Sequence, residues 1–127
     1  MRKGITKKLK KIQETFFYEL SSVGFSFDGF SGASFITSAL DMFEDICSII
    51  IEMYHLKFSK PEDVLAFIYS TKKVKSDYSE LYSQLREWED CIDYGELSLA
   101  EDEIDIEGFS SEMESMIQEL IELAKNE

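Results

Sequence analysis

The chain carries one proline, Pro61, in 127 residues, and four of its six glycines fall at or before Gly32. Gly and Pro supply most of the backbone conformations that tight turns require. A chain so poor in both must run in long regular elements. Sandwiches and barrels need turn signals about every ten residues, so an all-β fold is a poor reading.

The apolar spacing says which element. Ile5, Leu9, Ile12, Phe16, Leu20 and Val23 recur at three and four residues and predict a first helix over 5–23. Lys3, Lys7 and Lys10 fall on its opposite face. Residues 24–33 break the pattern at Asp28-Gly29. Their Phe25, Phe27 and Phe30 read either as a plug on the core or as an exposed recognition loop. A second helix is predicted from Ala33 or Ser34 to about His55. Its broad apolar face (Phe35, Ala39, Met42, Phe43, Ile46, Ile49, Ile50 and Met53) requires neighbours on more than one side.

Ser59-Lys60-Pro61-Glu62 has the spacing of a capping box and opens a short third helix that ends near Thr71. The fourth helix opens near Ser76 or Asp77. Tyr78, Leu81, Leu85, Trp88 and Ile92 make its core stripe, and Gly95 suits the position just past its end. Residues 96–109 read as an acidic, partly extended segment pinned by Leu97, Leu99, Ile104 and Ile106. A last helix is predicted after Ser110 or Ser111, with Glu114 completing a second capping box. The fold expected is a single all-α domain, residues 1–127, built as a bundle of about five helices.

Charge is the second constraint. Apolar residues make up 44% of the chain, enough for a packed core, yet the net charge is −13. No Lys or Arg occurs between Arg86 and Lys125. That stretch holds Glu87, Glu89, Asp90, Asp93, Glu96, Glu101, Asp102, Glu103, Asp105, Glu107, Glu112, Glu114, Glu119 and Glu122. Arg2, Lys3, Lys7, Lys8, Lys10 and Lys11 give the other end of the chain the opposite bias. A long one-signed stretch creates a strong local potential. It favours a basic protein partner and disfavours nucleic acid and anionic lipid. It also weakens the fold at low salt by self-repulsion.

The residue patterns of catalysis are missing. His55 has no companion, and Cys47 lies among Ile46, Ile49 and Ile50 and reads as packing. Two cysteines give neither a disulfide framework nor a zinc site and fit a reducing cytoplasm. The first residues lack the apolar stretch of a secretory signal, and the run Ile46–Met53 is too short to span a bilayer. Residues 103–114 place Glu103, Asp105, Glu107, Gly108 and Glu114 at EF-hand spacing. Glu where a tight loop needs Asp or Asn, and Ser110 where an aliphatic belongs, argue against it. No enzyme activity, metal or cofactor is expected.

In size, acidity, helical pattern and lack of catalytic motifs the chain resembles the small acidic immunity proteins of bacterial toxin–immunity pairs. The resemblance implies a cytoplasmic inhibitor that binds one cognate toxin. A nuclease fits best, since its cleft presents cationic groups to phosphates. The expected interface is Glu87, Glu89, Asp90, Asp93, Glu96, Glu101, Asp102, Glu103, Asp105 and Glu107, with Tyr82 and Tyr94 as aromatic anchors. Two alternatives share the composition: a DNA-mimic anti-defence protein of the kind phages use, and a solvated helical adaptor or secretion chaperone.

Overall fold

The apolar stripes read from the sequence become the buried faces of five helices. The computed structural model describes residues 2–23, 29–93 and 106–126. They form α1 (Arg2–Val23), α2 (Gly29–Tyr54), α3 (Pro61–Ser70), α4 (Ser79–Asp93) and α5 (Ile106–Asn126). No strand occurs among the described residues. Phe25, Phe27, Tyr94, Gly95 and the acidic segment 96–105 lie outside them.

Helix α1 packs on α2 and α5, α2 on α4, and α4 on α5, so these four close a ring, while α3 lies against α2 and α4. Phe16 meets both Phe35 and Phe109, and Trp88 meets Phe109. At the other end Lys8 of α1 pairs with Glu52 of α2 at 3.5 Å, and Tyr78 beside α4 bonds Glu119 of α5. Neighbouring helices of the ring therefore run antiparallel, the up-down-up-down arrangement of a four-helix bundle. Helix α2, with neighbours on three sides, is the central helix that its broad apolar face requires.

An aromatic knot ties one end of the ring. Phe109 sits at the centre, 6.5 Å from Phe16, 6.0 Å from Phe35 and 5.5 Å from Trp88 between ring centroids. Each of the four rings comes from a different helix. Tilted and edge-on pairs of this kind add about 0.5–1.5 kcal/mol each beyond area burial.

The helix ends depart from the sequence reading. The Ser59–Glu62 capping box does not form. Lys60 is the N-cap, without a side-chain cap bond, and Pro61 is the first helical residue. Glu62 then falls at the second position and not the third, out of reach of its reciprocal partner. Helix α2 starts at Gly29, four residues before Ala33. Helix α5 starts at Ile106, so Ser111 is an exposed mid-helix residue and caps nothing. Asp77 does cap α4: its Oδ1 accepts the Ser79 amide at 3.1 Å and the Ser79 hydroxyl at 2.5 Å.

Two helices stop on left-handed residues that are not glycine. Lys72 has φ 61° and His55 φ 54°. After α3, the Lys73 amide donates to Ile68 O at 2.9 Å and the Lys72 amide to Tyr69 O at 3.0 Å. This is the paired bonding of a Schellman motif. After α2, Leu56 N donates to Ile51 O in the same sense.

Glu119 locks the α3–α4 connection to the bundle. Its Oε1 accepts the Lys75 amide at 3.1 Å, and its Oε2 accepts the hydroxyl of buried Tyr78. Burial first, then this bond and the Glu119 charge, hold the Tyr78 hydroxyl protonated well above its ordinary range. A folded-state pKa raised above the unfolded value gives stability that is full below the unfolded pKa, about 10, and fades above it.

Two outcomes follow for stability. In urea unfolding, wild type should lose more stability than Tyr78→Phe between about pH 9 and about pH 11. Phe109→Ala should lower stability by about 3–5 kcal/mol, because it opens the knot where four helices meet.

Candidate functional site

The antiparallel ring converts a bias along the chain into a bias across the molecule. No Lys or Arg lies between Lys11 and Lys57 or between Arg86 and Lys125. The first gap covers the second half of α1 and all of α2. The second covers the last turns of α4 and most of α5. The knot brings these halves together at one end of the bundle. Arg86 is therefore the only cation that α1, α2, α4 and α5 supply toward that end. The lysines collect at the opposite end, on the first half of α1, on the connections flanking α3 and on Lys125.

At the cation-poor end, Glu87, Glu89 and Asp90 come from α4 and Glu107 and Glu112 from α5. Asp93 is the last residue of α4. Like charges close together repel, and here the α4 C-terminus adds its own partial negative charge. The last turn of α4 holds no basic residue to offset it.

The carboxylates divide between two sides of α4. Glu87 and Glu89 are two residues apart and so point about 200° apart around the helix. Glu87 lines an open groove of about 730 Å³ between α4 and α5. Gln84 shares its α4 wall, Ser111, Glu112 and Ser115 form the α5 wall, and the groove runs away from the acidic end to Glu80 in the first turn of α4 and to Ser76 and Asp77 before it. Glu89 faces the other way and pairs with Arg86 at 3.5 Å.

Tyr82 is not a surface anchor. It is 3% exposed and stacks edge-on against Phe43 of α2 at 5.4 Å. It lies four residues after Tyr78 and three before Leu85, which widens the core stripe to include it. Its hydroxyl accepts a bond from Arg86 Nη1 at 3.1 Å. That bond, with Glu89 and Asp90 close by, keeps the Arg86 guanidinium charged. Tyr82 thus positions the one cation of the acidic end. The Arg86–Glu89 pair removes Glu89 in part from the free acid count.

The remaining predicted residues fall outside the described ones: Tyr94, Glu96, Glu101, Asp102, Glu103 and Asp105, with the side chain of Asp93. Glu107 is exposed in the first turn of α5. There, negative charge is favourable to the helix. The sequence reading missed Glu112, which the α4–α5 packing brings into the same groove as Glu87.

Residues 106–114 are continuous helix. Most of the EF-hand-like stretch therefore cannot form a twelve-residue loop around a cation. Among the described residues no group of three His, Cys, Asp or Glu side chains is placed to hold a metal ion. Cys47 is buried, and burial, then Glu62 and Glu44, push its thiol pKa up to about 12. A thiol in that state is a poor nucleophile. No helix among the described residues is long and apolar enough to cross a membrane. Compared with known protein families, curated sequences and solved structures, the chain has no significant match.

The uncompensated charge has a measurable cost. Asp90→Asn with Asp93→Asn should raise folding stability by about 0.5–1 kcal/mol at low ionic strength. The gain should shrink in high salt. Urea unfolding at the two salt concentrations checks this, and a loss of stability at low salt would contradict it.

Proposed function

We propose that this chain is an inhibitor of the immunity type that binds a basic protein and masks its functional cleft with the acidic end of the bundle. A nuclease toxin in the bacterial cytoplasm is the partner that fits best. The observation that carries this reading is the collection of carboxylates around the C-terminus of α4, where Arg86 is the one cation that the four helices of the ring supply. A surface kept in that state is suited to a partner that brings the cations.

The chemistry is substitution. A nuclease cleft holds lysines, arginines and backbone amides where phosphate oxygens would lie. Carboxylates of Glu87 and Glu112 in the α4–α5 groove can accept the same bonds. Opposite potentials steer the encounter and raise the association rate, and this advantage falls with salt. With Tyr82 in the core, the anchoring aromatic contact of such an interface falls to Tyr94.

Affinity capture from the native host, followed by purification of the complex, tests the reading. The expected result is a stoichiometric complex with one basic protein whose nuclease activity is lost on binding. Co-expression should protect cells from that protein alone. Glu87→Gln with Glu112→Gln should slow association and flatten its salt dependence. Equal inhibition of several unrelated DNA-binding enzymes would replace this reading with DNA mimicry. Absence of any basic partner would leave the helical adaptor.

A further inference from the structure

The corner where α2 turns into α3 has a chemistry opposite to the acidic end. Phe58 lies in the connection between them and remains 39% exposed. Its ring is held edge-on to Phe67 of α3 at 6.1 Å, and Phe67 is tilted against Tyr54 of α2 at 5.9 Å. Tyr54 and Phe67 are themselves only partly buried. The three rings form a fixed apolar strip on the outside of the bundle.

Lysines frame the strip. Lys57 and Lys60 flank Phe58 in sequence and are exposed. The Lys73 ammonium stands 4.5 Å from the centre of the Tyr54 ring. No Asp or Glu occurs from Met53 through Pro61 or from Ser70 through Ser76. Glu62 and Asp63 begin α3 nearby, and Glu62 lies close enough to raise the Cys47 pKa.

We propose that this corner is a second docking surface, which takes an acidic protein segment carrying an apolar side chain between its carboxylates. The apolar group packs on Phe58 and Tyr54, and the carboxylates meet Lys57 and Lys60. Charge decides the class of partner. Screening limits a surface charge to about 8 Å at physiological ionic strength. A short segment therefore feels the local lysines. A nucleic acid strand or an anionic bilayer extends further and meets the acids that give the molecule its net charge of −13. The corner and the acidic end lie at opposite ends of the bundle, so each can bind without the other.

The test is an amide-resolved NMR titration of the full chain. The probe is an acetylated, amidated peptide with the sequence of residues 101–108, which sets two isoleucines among five carboxylates. Saturable shifts are expected at residues 54–60, 67 and 73. Binding should weaken about fivefold to tenfold in Lys57→Glu with Lys60→Glu, which leaves the aromatic strip intact. Phe58→Ser, and a peptide with serine for isoleucine, should each weaken it as well. Circular dichroism confirms that both variants remain folded. No saturable shift at the corner, or equal binding by the charge-reversed variant, would overturn the proposal. So would tighter binding at the corner by a ten-nucleotide thymidine strand or by phosphatidylserine vesicles.

Discussion

Everything at the acidic end depends on the packing of Phe109 against Phe16, Phe35 and Trp88. Four helices meet there, each contributing one ring. The same four helices bring Glu87, Glu89, Asp90, Glu107 and Glu112 into one region with Arg86 as their single cation. Apolar packing does not weaken with the sign of nearby charge, so it can hold together groups that repel. Were the knot replaced by polar contacts, the carboxylates would push the helix ends apart. The knot therefore permits an acidic surface that the fold would otherwise resist.

The other end is held differently. There the connections around α3 are fixed by backbone bonds at Lys72 and Lys73, and by the Glu119 carboxylate reaching Lys75 and Tyr78. Charges of both signs mix at that end, and the Lys8–Glu52 pair is one product. Exposed pairs of this kind contribute little to stability. Their larger effect is to leave the molecule polarised, with its unbalanced negative charge at one end. A polarised molecule meets a basic partner in a preferred orientation.

The helices themselves were legible because periodicity is written locally. Ile5, Leu9 and Phe16, the broad stripe of α2, and Tyr78, Leu81, Leu85 and Trp88 are all buried as spaced. Helix ends were less legible. The stops of α2 and α3 fall where the sequence places them, near His55 and Thr71, but the left-handed residues there are His55 and Lys72 and not glycine, and several helix starts lie elsewhere than the capping patterns indicate. Phe109 read as the close of an acidic loop, although its spacing to Met113 and Met116 continues the stripe of α5. Tyr82 was misplaced for a related reason: an aromatic at the edge of a stripe can face either way until the neighbouring helix is known. The grouping of Glu112 with Glu87 depends on a pairing of α4 with α5 that no local pattern reveals. The extent of the acid block was plain from the sequence, and its division into two sides of α4 was not.

The proposed role of the acidic end is to engage a basic protein. Hydrogen exchange of this chain, free and bound to a captured basic partner, reads that surface residue by residue. Slowed exchange is expected within residues 84–93 and 106–116, with the first half of α1 unchanged. Protection confined to α1 or to the α2–α3 corner, with the acidic end exchanging as in the free chain, would contradict it.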